Sequence, residues 1–297
     1  MARIIGFRGL TAFLLCGIVA TGLFATPALS QETTLKRSFD VVDLERTRRV
    51  VVHISLPEPI LKTTQILVVM HGNTRNAATY HRTWQPYARA HGAVLVTPEF
   101  SRQDWPRARH YHQGNLLTAD KSTKPRAVWS FTAMEHAVTI AARIAGIESE
   151  RFYLYGHSAG AQFVHRYVLA TGGTRLIRAV AANAGWYTWP SLEKHYPYGL
   201  APVDNHRWDW KPAFRTKLTI LLGENDNDPK SPSLRRTDSL MFQGEHRLER
   251  GTRFFAAARA LSAKTGADFS WQLETVPGVA HSNRGMAKAA ARLLFLK

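Results

Sequence analysis

The chain has 297 residues and carries 39 lysines and arginines against 22 aspartates and glutamates, a formal net charge of +17. Its single cysteine, Cys16, excludes a disulfide framework. The positive residues are scattered and do not interleave with aromatics at a stacking spacing, so no nucleic-acid partner is expected; the charge fits a solvated basic surface, with attraction to anionic envelope surfaces or acidic substrates.

The chain opens on Met1–Arg8, which holds two arginines and no acid. An apolar stretch, Leu10–Phe24, follows, then Ala25–Ser30, which offers small residues, Ala28 and Ser30, ahead of a cut after residue 30. This pattern reads as a secretory signal, with a periplasmic or secreted destination. An uncleaved anchor is the alternative, but the apolar stretch is short for a membrane span. Cleavage would leave residues 31–297, with net charge +15 and no thiol. That length suits one large domain.

Two β-rich runs come next, Ser38–Val42 and Arg49–Leu56, the second stopped by Pro57 and Pro59. Ile66–Met70 is a short continuous apolar run, as expected of a parallel strand buried on both faces. A helix is predicted over Ala77–Ala90 and a strand over Ala93–Val96, closed by Pro98. Arg102–Arg126 is a long polar and aromatic loop. A helix is predicted over Ser130–Ala145, a strand over Phe152–Tyr155 and a helix over Ala161–Ala170. Further strands are predicted over Arg178–Asn183, Leu218–Leu222 and Phe269–Val276. Further helices are predicted over Gly251–Lys264 and Arg284–Phe295. Between them, Trp186–Phe214 is aromatic and proline-rich with little periodicity. Strands alternating with helices predict a three-layer α/β fold with a mostly parallel central sheet. The two long loops are too long for simple connectors and read as a small lid or substrate wall.

Gly156-His157-Ser158-Ala159-Gly160 sits between a predicted strand and a predicted helix. In that context it reads as a sharp turn with Ser158 at its tip, the glycines leaving room where side chains would clash. The turn would present the Ser158 hydroxyl and place the Ala159 N–H at a helix N-terminus, where a developing oxyanion can bind. A serine nucleophile needs a base, and the base needs an orienting acid. Gly223-Glu224-Asn225-Asp226 follows one predicted strand, 68 residues after Ser158, and His281 follows another, 55 residues further on. Asp226 and Asp228 are both candidates for the acid, Asp226 by its distance from the strand-end glycine; Asp228, before Pro229, also reads as a turn residue. The loop after Met70 begins His71-Gly72-Asn73, and the Asn73 N–H is the candidate second oxyanion donor.

His281 is the candidate base. His71 reads as a loop-bonding residue and His157 as a packing residue. His110 and His112 make no metal-ligand pattern without an acid or cysteine partner, so no metal is expected. Trp186, Tyr187 and Trp189 either grip the substrate or lie in the core under a lid.

The pieces VVMHGN, YGHSAG, LLGENDNDP and VPGVAHS together resemble the α/β-hydrolase family across about Val50–Leu296. Within it they look nearest to secreted esterases related to polyhydroxyalkanoate depolymerases and feruloyl esterases. The resemblance implies Ser158 as nucleophile, His281 as base, an aspartate of GENDND as orienter, and no cofactor. The expected activity is hydrolysis of a small or polymeric carboxylic ester. Amide or peptide hydrolysis by the same triad, and a non-catalytic secreted binding protein, are the alternatives. Oligomeric state is not legible.

Overall fold

A computed structural model describes residues 33–43, 46–201 and 210–296. The segment read as a secretory signal lies outside the described residues. Residues 32–297 group into one contact unit.

Eight strands form one sheet: β1 (Thr33–Val42), β2 (Thr47–Leu56), β3 (Ile66–Met70), β4 (Val94–Glu99), β5 (Phe152–His157), β6 (Leu176–Ala182), β7 (Leu218–Gly223) and β8 (Gln272–Val276). Their order is β1-β2-β4-β3-β5-β6-β7-β8. The β1–β2 and β2–β4 pairs are antiparallel and the rest are parallel. This is the mostly parallel α/β sheet expected from the alternation of elements.

The central strands explain their own position. In β3 every residue is buried, and the alternation splits it between two cores. Ile66, Val68 and Met70 face one, where they meet helices α2 (Ser130–Ala145) and α3 (Ala159–Thr171). Leu67 and Val69 face the other, with the helix α1 (Ala77–Ala90) and the C-terminal helix, Asn283–Leu294. Burying each such side chain contributes about 1.5–3 kcal/mol, and a strand covered on both faces buries every residue of an unbroken apolar run. The remaining helices are α4 (Trp210–Arg215), α5 (Asp238–Met241), α6 (Arg247–Thr265) and α7, the C-terminal one.

Several boundaries differ from the sequence expectation, each for a local reason. β1 starts at Thr33 rather than Ser38, because pairing with β2 runs unbroken from Thr33–Leu56 to Val42–Thr47; an exposed edge strand needs no apolar alternation. β4 continues through Pro98, which pairs with Val52 but lies past the last β3 partner, Val96. No ladder bond to β3 is lost there, so proline is tolerated. β8 begins at Gln272 because the Ser270 N–H is spent on Phe214 O, 2.7 Å away. α6 starts at Arg247, one turn before the expected Gly251, with His246 as N-cap accepting from Glu249 N–H.

The first long loop is folded into the body of the protein: Trp105, Tyr111 and Leu116 are buried. A buried Asp43 anchors it. Its Oδ2 accepts from Lys124 Nζ (2.9 Å), Asn115 Nδ2 (3.0 Å) and Arg48 Nε (3.2 Å). Burial alone would raise the Asp43 pKa, but these three donors and the Lys124 charge outweigh it and hold the carboxyl at about 2.

Candidate active site

β5 ends in the turn that the motif predicts. Ser158 adopts φ 60°, ψ −116°, a left-handed conformation unfavourable for a side chain. The glycines around it are sterically required. A Cβ on Gly156 would lie 2.2 Å from Gly160 O, and a Cβ on Gly160 would lie 2.2 Å from Met70 O. Both distances are below van der Waals contact, so helix α3 can start this close to β3 and β5 only with glycine at both places.

The side chains of three strand-end loops meet at this turn. Ser158 Oγ lies 3.0 Å from His281 Nε2, and His281 Nδ1 donates to Asp226 Oδ2 at 2.6 Å. Asp226 is buried at 4% exposure while His281 keeps 24%, so the relay runs from a dry acid to a serine open to the cavity. Asp228, the other candidate acid, is exposed and accepts from Lys230 N–H at 2.8 Å. It is the turn residue, and Asp226 is the acid partner of His281.

Asn73 and Ala159 both line the cavity that holds Ser158. Ala159 opens α3, where the first-turn N–H groups have no carbonyl partner within the helix. The loop bearing Asn73 is held from several sides. His71 Nδ1 donates to Gly72 O (3.0 Å), and His71 Nε2 accepts from Phe100 N–H (3.1 Å). Tyr111 donates to His71 O at 2.6 Å and Arg102 donates to Asn73 O at 2.9 Å. Burial keeps His71 neutral by pulling its pKa down to about 4, which fits its expected loop-bonding role. His157 packs against the His281 ring, centroids 4.6 Å apart, and bonds Tyr80 through Nδ1 at 3.1 Å. Burial drives its pKa well below the usual histidine range, so it stands beside His281 uncharged.

The cavity measures about 380 Å³, within the usual range for small-molecule sites. Ala108 and His112 reach it from the first long loop, and Trp186 from the start of the second, next to Gly185. Of the three aromatics named from sequence, only Trp186 is in its wall. Tyr187 is fully buried and stacks on Phe254 at 4.3 Å. Trp189 meets Phe242 edge-on at 5.2 Å. Tyr187 is a core residue, and Trp189 is half-buried against that core. A larger cavity, about 860 Å³, is lined by Leu117, His195, Tyr196, Tyr198 and Phe242 among others, and Ser158, His281 and Asp226 are not in its wall. Among the described residues no group of three or more His, Cys, Asp or Glu side chains is placed to hold a metal ion.

Two residues here carry no sequence motif. Arg247, at the start of α6, donates from Nη1 to Asp226 Oδ1 at 3.0 Å and is itself buried. Asn183, at the end of β6, accepts from Gly223 N–H (2.8 Å) and donates to Ala280 O (3.3 Å). One side chain thereby ties the Asp226 loop to the His281 loop. A polar residue directly past a strand end was the available signal for Asn183.

No protein-family model and no curated protein matches the chain. Among solved structures, it is 39% identical to a poly(aspartic acid) hydrolase from Sphingomonas sp. KT-1, covering 89% of this chain and 98% of that one, with a TM-score of 0.81. It is 30% identical to LpqC, a poly(3-hydroxybutyrate) depolymerase from Bordetella parapertussis, over 90% of each chain, also at a TM-score of 0.81. The chain belongs to the α/β-hydrolase family. An S-formylglutathione hydrolase from Agrobacterium tumefaciens, at 14% identity and a TM-score of 0.54 over 89% of this chain and 99% of that one, shares the fold. The chain is thus an α/β-hydrolase, similar over nearly its whole length to two hydrolases.

Proposed function

We propose that this α/β-hydrolase is an exported enzyme that cleaves carboxylic esters through Ser158, His281 and Asp226. The observation that carries this reading is the continuous relay from buried Asp226 through His281 to Ser158, at 2.6 and 3.0 Å. Ser158 Oγ attacks the carbonyl carbon as its proton passes to His281 Nε2. Asp226 stabilises the imidazolium that forms. The Asn73 and Ala159 N–H groups bind the tetrahedral oxyanion, each such donor contributing about 3–4 kcal/mol to lowering the barrier. His281 then protonates the leaving alcohol. Water, deprotonated by the same histidine, releases the acid from Ser158 and returns the proton to its oxygen.

Export is proposed from the pattern of Met1–Ser30, and association with anionic envelope surfaces from the net charge alone. The depolymerase relative, whose named substrate is joined by ester bonds, supports the ester reading. The more similar relative is named for poly(aspartic acid), which is joined by amide bonds. That favours a second reading, amide hydrolysis by the same three residues. Comparing one acyl group as its ester and as its amide separates the two. Labelling by a fluorophosphonate that Ser158→Ala abolishes is expected under either; no labelling of folded protein would leave only a non-catalytic binding protein.

A further inference from the structure

Among the described residues, two arginines and no aspartate or glutamate line the Ser158 cavity. Arg247 is neutralised by Asp226, 3.0 Å away. Arg235 is exposed, and among the described residues its side-chain hydrogen bond goes to the Tyr198 hydroxyl, 3.2 Å from Nη2. Behind the wall lies a third, Arg166, 1% exposed. Its donors reach neutral acceptors only: Thr188 Oγ1 at 2.9 Å, His112 Nδ1 at 2.9 Å, His112 O at 3.1 Å and Gln162 Oε1 at 3.2 Å. Its Nη2 is buried with no hydrogen-bond partner. Among the described residues it has no carboxylate partner, so its charge is buried without compensation, an arrangement that favours an anion nearby. His112, Gln162 and Trp186, which contact Arg166, are all in the cavity wall. The Trp186 ring joins the two free charges: the guanidinium carbons of Arg166 and Arg235 stand 4.2 and 5.6 Å from its centroid.

We propose that this cavity selects a substrate carrying a carboxylate beside the bond to be cut, with Arg235 meeting the carboxylate and Arg166 supplying a fixed positive field behind Trp186. The proposal rests on hydrolysis at Ser158 and names the substrate class for that site. The cavity is small, about 380 Å³, so the carboxylate belongs to the same molecule or repeat unit whose carbonyl sits at Ser158. The Arg235–Tyr198 bond is solvent-exposed and its acceptor is neutral. A carboxylate replaces that acceptor with an opposite charge and can take two guanidinium N–H groups at once.

The test compares mono-p-nitrophenyl glutarate with p-nitrophenyl butyrate, and measures glutarate binding to the Ser158→Ala protein by calorimetry. The wild type is expected to prefer the glutarate ester by about tenfold in kcat/KM, the scale of one charge-assisted hydrogen bond. Arg235→Gln should bring that ratio close to one, and Arg235→Lys should restore part of it. Arg236→Gln, a neighbouring charge outside the cavity wall, should keep the wild-type ratio and glutarate affinity. An equal fall in Arg235→Gln and Arg236→Gln would reduce the effect to general surface charge and overturn the site. So would a wild type that hydrolyses the neutral ester as well as the charged one, or a Ser158→Ala protein that binds no glutarate. Glutarate binding that depends on Arg235, with no turnover of either ester, would keep the anion site and remove the hydrolase reading.

Discussion

Arg247 Nη1 stands 3.0 Å from Asp226 Oδ1, with both side chains sealed from solvent. The carboxylate that orients His281 is therefore also half of a buried ion pair. Arg247 is fixed in turn by Ser231 Oγ (3.1 Å) and Ser233 Oγ (2.8 Å). Arg247→Met should leave Asp226 buried without its countercharge and lower unfolding stability by about 3–5 kcal/mol. Urea titration measures this. A loss below about 1 kcal/mol would mean that the pair does not hold the site together.

The two neighbouring aspartates should separate sharply. Asp226→Asn keeps the shape but cannot hold the charged imidazolium, and should cost on the order of 10⁴ in kcat. Asp228→Asn should stay within about twofold, since exposed turn residues rarely matter to chemistry. The reverse ranking would move the acid to Asp228.

Asn183 has φ 51° and is fully buried, so Asn183→Gly removes the side chain without imposing a strained backbone. The Asp226 and His281 loops would lose their common tie. Misplacement of this kind costs up to about 10²-fold, so kcat should fall roughly 10–100-fold while KM moves little. An unchanged kcat in a folded variant would make the tie structural only.

Acid should destabilise the fold before the carboxylates titrate. Burial pulls His71 and His81 down to about 4 in the folded protein, against about 6.5 in the unfolded chain. The unfolded state then binds more protons. Stability is complete above about pH 6.5 and is lost as pH falls toward 4, on the order of 3 kcal/mol for each histidine. Urea midpoints at pH 7, 5.5 and 4.5 should fall steadily, and His81→Gln should flatten the slope. A flat midpoint over that range would contradict it.

Ser158, Asp226 and His281 were legible because each follows a strand whose apolar run or glycine marks its end. In an open α/β sheet those ends converge. Arg247 was not legible. Arg247 and Arg250, ahead of the helix expected from Gly251, read as part of the solvated basic surface, yet both are buried, because the Asp226 carboxylate and the loop carbonyls supply partners from distant sequence. Tyr187 and Trp189 show the same limit. An aromatic after a strand end can face a cavity or the core, and only Phe254 and Phe242, more than 50 residues away, decide it. Pro98 misled because a proline stops a strand only where its missing N–H would have been bonded.

Ser158 as the nucleophile of an ester hydrolase is tested most directly by turnover of p-nitrophenyl butyrate by the wild type and by Ser158→Ala, with circular dichroism on both. Saturable hydrolysis by the wild type and loss to background in an equally folded variant are expected. Equal turnover by the two proteins, or none from a folded wild type, would contradict that role.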